Sequence, residues 1–217
     1  MQLIAKPQTI QYDSRTGQFR GNNGRFVSRS TVVSIIEEES ARTEVRLMGI
    51  TRRLTNGSLT LSEWETEFAQ ELKRSHLRLM MLAAGGKDNV GASHYGMAGA
   101  QIKKQYQYLD GFAIALKEGK LSRKQAIARA KLYGTSVRST FYNVERLQRQ
   151  LEGFTVAKRS LDPQAHHCAE CLIHSTRGEW RKIENVTPPG VACSCGQRCR
   201  CSIIYAKLAD VIKERKQ

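Results

Sequence analysis

The sequence predicts a mainly α-helical protein: a helical bundle with an extended N-terminal β-hairpin arm and a small, zinc-ribbon-like C-terminal β subdomain. Three observations predict this fold class. Turn signals crowd the N-terminal segment, apolar residues then recur at three- and four-residue steps, and all six cysteines fall between Cys168 and Cys201. The predicted segments are an arm over 1–29, a bundle over 30–152, a cysteine-rich subdomain over 153–205 and a basic tail over 206–217.

Composition and charge narrow the class of protein. The chain has 217 residues, of which 40% are hydrophobic, so it is long and apolar enough to bury a core. Its 35 Lys and Arg residues oppose 20 Asp and Glu residues, and the net charge of +15 is typical of a protein that works beside a polyanion. No apolar run reaches bilayer length and no signal peptide is recognisable at the start. We therefore expect neither a membrane protein nor an exported one.

The first segment has the pattern of short strands joined by turns. Ile10 and Tyr12 precede the turn signal of 13–17, and a second signal over 21–24 precedes Phe26. Asn-Gly pairs favour tight hairpin turns, because both residue types accept positive φ. Two interpretations remain open, a plain β-hairpin and an arm that docks on a partner. For the second, the candidate docking residues are Arg15, Arg20, Arg25 and Phe26.

Capping signals divide the bundle into helices. Ser30 is the predicted N-cap of a helix over 31–55, which Asn56-Gly57 ends. Ser62 and Glu65 have the spacing of a capping box for a second helix, which ends at Gly85-Gly86.

Two further helices complete the predicted bundle. A Gly-rich linker over 85–99 precedes a helix over about 100–118, and Ser122 with Gln125 forms the capping box of a fourth helix that runs to about 151. The short connections favour an α-helical bundle. On the third helix, Lys103 and Lys104 lie near the aromatic residues Tyr106, Tyr108 and Phe112. This pattern indicates either a nucleic-acid-binding face or a core stripe with a basic outer side.

The pattern changes at Gly153. Residues 154–157 suit a short strand, the cysteine region follows, and 203–205 suit another strand. The last residues, 206–216, are predicted to form a short basic helix or a frayed tail.

The cysteines have the spacing of a metal site. Cys168 and Cys171 form a C-x2-C pair, and a second group follows about twenty residues later, as in zinc ribbons. The predicted zinc ligands are Cys168 and Cys171 together with two of Cys195, Cys199 and Cys201. Disulfides and free thiols are the alternatives.

The sequence carries no recognisable catalytic motif. Catalytic zinc would need an open coordination position and a base such as Glu170. We therefore expect a structural site and no enzyme.

The cysteine-bearing end of the chain resembles a known family. Its pattern is Ala165-His166-x-Cys168-x-Glu170-Cys171, then Gly178, then Pro188-Pro189-Gly190, then Cys195-x3-Cys199-Arg200-Cys201. It resembles the C-terminal region of the minor head proteins of tailed phages, the head morphogenesis proteins of the phage Mu and SPP1 type. The resemblance covers about 55–205, and Cys193 is an addition to the family pattern.

This resemblance implies a structural protein of the virion head, present in few copies near the portal and the inner capsid. The implied role is head assembly or genome delivery, and the implied partners are the portal or major capsid protein and genomic DNA, within a larger assembly. Its place would be the virion head, and the host cytoplasm during assembly.

Two other functions compete with the head role. A zinc-ribbon nucleic-acid-binding protein would use Arg198, Arg200, Lys103 and Lys104 against phosphates. A metal-dependent hydrolase is the third hypothesis, and it lacks a catalytic constellation.

Overall fold

The computed structural model describes residues 10–13, 18–21, 23–175, 178–196 and 199–214. Two predicted site residues, Arg15 and Arg198, lie outside these described residues. The fold class is confirmed: the protein is mainly helical, with a small antiparallel sheet at its N-terminal end and a cysteine-rich β region at its C-terminal end.

Four long helices form the bundle. They are α1 (Arg29–Thr55), α2 (Leu61–Ala83), α3 (Ala92–Lys117) and α4 (Arg123–Leu151). Helix α4 packs along both α1 and α2, whereas α3 packs on α2 and α4 and leaves its other side exposed.

The caps of the first two helices differ from the predicted ones. Ser28, two residues before the predicted Ser30, accepts a hydrogen bond from the Thr31 amide and begins α1. Thr60 and Glu63 form the capping box of α2, with the Thr60 amide 2.8 Å from the Glu63 carboxylate.

The sequence fits two overlapping capping boxes at this point, Thr60 with Glu63 and Ser62 with Glu65. The apolar residues decide between them. With Thr60 as the cap, the flanking Leu59 and Trp64 occupy the two positions of a hydrophobic staple, and both are buried in one cluster. The predicted box of Ser122 and Gln125 at the start of α4 is confirmed.

Helix α3 begins eight residues before its predicted start. The Gly91 amide donates to Nδ1 of His94 at 2.9 Å, and the other ring nitrogen of His94 lies 2.8 Å from Oε1 of Gln148 on α4. This histidine both caps α3 and attaches it to α4. Because the helix begins at Ala92, the glycines at 96 and 99 lie inside it and not in the predicted linker.

The N-terminal segment packs on the bundle. Its strands β1 (Gln11–Asp13), β2 (Gln18–Arg20) and β3 (Phe26–Val27) form an antiparallel sheet in that order. Ile10 and Phe19 are buried in a core shared with α1, α2 and α4. Because its apolar side chains have this core to fill, the described part of the expected arm lies against the helices.

The three described docking candidates, Arg20, Arg25 and Phe26, lie on the outer side of this sheet. Arg20 is ion-paired with Asp13 at 2.9 Å, and its guanidinium lies 4.1 Å from the centre of the Phe26 ring. Arg25 is exposed, and the Phe26 side chain is 55% exposed although it covers part of Arg20.

A second small sheet follows the bundle. Strand β4 (Val156–Ser160) is its central strand, flanked by β5 (Arg181–Lys182) and β6 (Ser202–Ala206), and both pairings are antiparallel. A short helix α5 (Ala169–Ser175) lies between β4 and β5, and α6 (Leu208–Glu214) follows β6.

Two apolar cores stabilise the molecule. The first joins the N-terminal sheet, the adjacent half of the bundle and the inner face of the C-terminal sheet, including Ala157 and Ile203. The second lies at the other end of the bundle around Trp64, Phe68 and Phe112. The C-terminal sheet therefore shares a core with the helices.

Candidate metal centre

The six cysteines meet in one place beneath the C-terminal sheet. Cys168 and Cys171 lie at the start of α5. Cys193 and Cys195 lie in the loop between β5 and β6, and Cys199 and Cys201 come just before β6. The sulfurs form two groups, each with all members within 4.8 Å of one another: Cys168, Cys171, Cys193 and Cys195 in the first, and Cys171, Cys199 and Cys201 in the second. Cys171 belongs to both groups.

The distances between sulfurs are those of a metal site and not of disulfides. The Cys171 and Cys195 sulfurs are 3.3 Å apart, those of Cys168 and Cys195 are 3.6 Å apart, and those of Cys171 and Cys199 are 3.7 Å apart. Sulfurs about 2.3 Å from a tetrahedral zinc ion would be about 3.8 Å apart, whereas a disulfide needs about 2.05 Å. All six cysteines, which lie within the described residues, are free. The cluster could therefore hold a metal ion.

The structure brings together every cysteine that the sequence analysis selected, and it adds Cys193. The Cys193 and Cys195 sulfurs are 3.4 Å apart. The Cys-x-Cys spacing of Cys193 and Cys195 was the available signal for this residue. In the structure the two cysteines lie in a turn, where the Gly196 amide donates to the Cys193 carbonyl.

The positive charge inside the cluster was not predicted. Nη2 of Arg159, on β4, lies 3.0 Å from the Cys199 sulfur and 3.3 Å from the Cys171 sulfur. The residue is only 2% exposed. Strand alternation was the available signal, because Arg159 lies on the same face of β4 as the buried Ala157.

This contact favours the thiolate form of Cys199. The Cys201 thiol and backbone amide, together with the nearby Arg159 charge, hold the pKa of the Cys199 thiol far below its usual value although burial opposes the shift. Burial lowers the pKa of Arg159, but the hydrogen bond to Cys193 and the charges of the cysteines raise it by more than burial lowers it. The net shift is upward, so the guanidinium stays charged. Burial raises the pKa of the Cys171 thiol to about 12. A metal ion would supply the positive charge that the remaining thiols need to ionise.

The polar residues around the cluster support its loops. The Glu170 carboxylate accepts a 2.9 Å hydrogen bond from the Ser194 hydroxyl, and it therefore faces the 193–195 loop. Backbone and side-chain donors lower the pKa of Glu170 to about 2. Nδ1 of His167 lies 3.9 Å from the Cys201 sulfur, while Nε2 of the same ring donates to the Asp162 carbonyl.

Of the predicted phosphate-facing residues, the three that the structure describes, Arg200, Lys103 and Lys104, are dispersed. Arg200 is ion-paired with Asp162 at 3.0 Å, beside the cysteine cluster. Lys103 and Lys104 are exposed on α3, far along the chain from the cysteines. Phe112 on the same helix is fully buried, and Tyr108 is 52% exposed, so the aromatic residues divide between the core and the surface.

Comparisons with family models, with curated proteins and with solved structures found no match to this chain. Within the described residues, no helix combines the length and the apolar character that a bilayer crossing requires.

Proposed function

We propose that this protein is a structural component of a tailed-phage head, and that zinc bound by its cysteines stabilises the C-terminal region. One observation carries the proposal. The five cysteines of the pattern that resembles minor head proteins, Cys168, Cys171, Cys195, Cys199 and Cys201, all meet in the cluster. Because these cysteines come together in space, the resemblance is better explained by a shared structural unit than by chance matches at separate positions.

Zinc is the metal that the donor set favours. The donors are sulfurs, and all-thiolate tetrahedral sites are typical of structural zinc. Cys171, Cys199 and Cys201 are at most 1% exposed. Cys168, Cys193 and Cys195 are half-buried. Structural zinc sites take all four ligands from the protein, whereas catalytic ones keep a position for water or substrate, and the six sulfurs here suffice for four ligands. The disulfide alternative would require the sulfurs to approach by more than 1 Å from their separations of 3.3 Å or more.

The cluster is joined to the bundle by a direct contact. Nη2 of Arg138 on α4 donates to the Cys199 carbonyl at 3.1 Å. Arg146, two turns further along α4, donates to the Val186 carbonyl at 2.6 Å. A metal in the cluster would therefore stiffen the loops against the helices, which suits a protein held in a larger assembly.

The charge of the chain suits the proposed location. With a net charge of +15, the protein would be attracted to packaged DNA or to an acidic capsid wall. We propose the portal or major capsid protein as its protein partner, and the virion head as its place.

The metal is tested by elemental analysis and thiol titration of the purified full chain. We expect about one zinc per chain and thiols that react only after chelation. Cys171→Ser should lose the metal, because this sulfur belongs to both groups of the cluster. The matched control is Ser194→Ala, which removes a hydroxyl beside the cluster and no sulfur. Metal-free protein without reactive thiols would establish disulfides instead.

The head role is tested by co-expression with the portal and major capsid proteins encoded in the same genome. The tagged chain should retain one of them through purification at a salt concentration that removes nucleic acid. The chain should also be present in purified DNA-filled particles. Its absence from such particles would contradict the head role, whatever the metal content.

Nucleic-acid binding is the second candidate function, favoured by the exposed Lys103 and Lys104 and by the excess of positive charge. A DNA-binding protein should bind free duplex without any head protein, with an affinity that falls steeply as salt rises. A K103Q/K104Q double variant should then bind more weakly and show a smaller salt dependence. Equal binding by the variant and the wild type would exclude this face.

A further inference from the structure

An open apolar pocket lies at the end of the bundle where one loop joins α1 to α2 and another joins α3 to α4. Its volume is about 330 Å³. Four half-buried leucines line it, and all of them pack on the second core: Leu54, Leu61, Leu116 and Leu121. A partner that covers the exposed parts of these side chains would gain free energy, because apolar area would leave water.

Two cations line the same pocket. Lys117 ends α3 and Arg123 begins α4, and both side chains are exposed. Neither has a hydrogen bond, an ion pair or a ring contact with another residue that the structure describes. The described lining residues include no carboxylate. The positive charge beside the leucines is therefore available to an anionic partner.

The whole of this end of the bundle is positively charged. The two segments that carry the pocket, 52–63 and 116–124, contain six Lys and Arg residues and two Glu residues. The Glu63 carboxylate accepts from the N-cap amide of α2 at 2.8 Å, and Glu118 pairs with Lys120 at 2.7 Å. Because both carboxylates are engaged elsewhere, the cations of the pocket favour an acidic partner.

The combination of leucines and unpaired cations identifies the class of partner. DNA would pair with the cations but would leave the four leucines exposed. A fatty acid would cover leucines but would bring a single carboxylate to two cations. A peptide segment in which an apolar side chain lies among several carboxylates satisfies both parts. The volume of about 330 Å³, near the lower end of the range for ligand pockets, leaves room for such an apolar anchor.

We propose that this pocket is a docking site for an acidic segment of a protein partner. An apolar side chain of the segment enters between the four leucines, and the carboxylates beside it pair with Lys117 and Arg123. The inference goes beyond the proposed function, because this recognition depends neither on the metal nor on a phage particle.

The test uses a fluorescein-labelled peptide, EELEELLEELEE, whose leucines share one face of a helix and are flanked by glutamates. Fluorescence anisotropy measures its binding to the purified full chain at constant ionic strength. The matched peptide EEAEEAAEEAEE keeps every charge and removes the apolar anchors. We expect saturable binding of the leucine peptide, at least about tenfold tighter than that of the alanine peptide.

Charge reversal on the protein locates the binding. Lys117→Glu/Arg123→Glu should weaken binding of the leucine peptide by at least about tenfold, because repulsion replaces two attractions. The matched control is Lys73→Glu/Lys87→Glu, which makes the same change in net charge at exposed side chains on α2 and between α2 and α3. We expect the control to bind within about twofold of the wild type. Leu121→Ser, which removes part of the apolar lining, should weaken binding of the leucine peptide and not of the alanine peptide.

The proposal is overturned if the wild type does not bind the leucine peptide saturably at millimolar concentrations. It is also overturned if the two peptides bind equally well, or if the two charge-reversed proteins do. Saturable binding of decanoate without binding of the peptide would assign the pocket to a fatty acid. A dimer in sedimentation analysis that Leu121→Ser abolishes would assign it to a second copy of the chain. Either result would replace the proposed partner, and neither would alter the metal content or the presence of the chain in particles, by which the proposed function is tested.

Discussion

At the scale of single residues, the most informative side chain is Arg159. A buried guanidinium among sulfurs is stable only if it remains charged and the sulfurs supply negative charge. The observed contact with the Cys199 sulfur, whose pKa is lowered, meets that condition. The residue therefore acts as a support for the cluster, orienting sulfurs that would otherwise repel one another.

Arg159→Gln should weaken zinc binding by about 10- to 100-fold, because supporting hydrogen bonds around a metal site contribute this much to metal affinity. Competition with a chromogenic chelator measures the affinity. Arg200→Gln is the control, since Arg200 is more than half exposed and pairs with Asp162 outside the sulfurs. Equal zinc affinity in Arg159→Gln and in the wild type would mean that the guanidinium does not support the site.

His76 is a second buried group with a measurable consequence. Its ring is fully buried on α2, Nδ1 lies 2.6 Å from the Thr140 hydroxyl, and Nε2 has no partner within the described residues. Burial lowers the pKa of His76 from 6.5 to about 4. The unfolded chain therefore binds an additional proton at pH values between these two.

The His76 contribution to the free energy of unfolding should decrease as the pH falls from about 6.5 to about 4, by about 3 kcal/mol. Above pH 6.5 the ring is neutral in both states, and no further change arises from it. Urea unfolding of the wild type and of His76→Gln across this range isolates the effect, because both proteins share every other titrating group. If the free energies of unfolding of the two proteins changed in parallel with pH, this prediction would be contradicted.

At the scale of elements, the close packing of α1 against α4 depends on one glycine. A Cβ atom at Gly134 would lie 2.7 Å from the Glu44 amide nitrogen and 2.8 Å from the Glu44 Cα. The Ser40 hydroxyl donates to the Gly134 carbonyl at 2.8 Å across the same contact. The two backbones approach this closely only because residue 134 has no side chain.

Gly134→Ala should lower the free energy of unfolding by about 1–3 kcal/mol, because the backbones must separate to admit the methyl group. The intrinsic helix preference of alanine over glycine, about 1 kcal/mol, acts in the opposite direction. Gly49→Ala on α1 is the matched control, since its Cβ would meet nothing within 4 Å. Chemical denaturation should show Gly49→Ala slightly stabilised, and a stabilised Gly134→Ala would exclude the close approach.

The N-terminal sheet is the second element with a distinct prediction. Phe19 is buried in the shared core, and the Tyr12 ring stacks against the buried guanidinium of Arg149 at 3.1 Å. Because of these contacts, removal of the N-terminal segment should impair folding as well as any docking.

Phe19→Ala should lower the free energy of unfolding by about 3–5 kcal/mol, the usual cost of emptying a buried phenylalanine site. Phe26→Ala, on the exposed side of the same sheet, should cost less than about 1 kcal/mol, since it loses mainly its contact with Arg20. Thermal and urea unfolding compare the two. Similar stability of both variants would restore the interpretation of an independent arm.

At the scale of the whole molecule, three of the four predicted segments, the arm, the bundle and the cysteine-rich subdomain, are joined around one core. Arg29 of α1 binds Glu145 of α4 through both terminal nitrogens, and the Tyr205 hydroxyl of β6 donates to the same carboxylate at 3.2 Å. This network lies beside the core that all three segments share. The cysteine cluster is a separate, third cluster.

Chelation of the proposed metal should therefore loosen the cysteine loops and leave the helices folded. In hydrogen exchange, amides over 161–175, 178–196 and 199–201 should lose protection, while the second core around Trp64 and Phe112 keeps its protection. The helical circular dichroism signal should persist as the melting temperature falls. Loss of that signal on chelation at 25 °C would show that the bundle depends on the metal.

Local signals predicted most of the elements. The Ser122 box and the end of the first helix near Asn56 came from interactions within a few residues, which the sequence displays directly. The start of α3 could not be predicted in this way, because His94 obtains its second partner from Gln148, more than fifty residues away. The choice of Thr60 over Ser62 likewise depended on the burial of Leu59 and Trp64.

The sequence by itself determined the fold class, the number of long helices and the place of the cysteine region, because periodicity, capping and cysteine spacing act over short distances along the chain. Only the tertiary structure decided that Cys193 joins the cluster and that Arg159 supplies a buried charge to it. It also decided that Phe19 lies in the core. These outcomes depend on which surfaces meet when distant segments pack together. The Cys-x-Cys spacing and the alternation of β4 are compatible with them but do not show which surfaces those are.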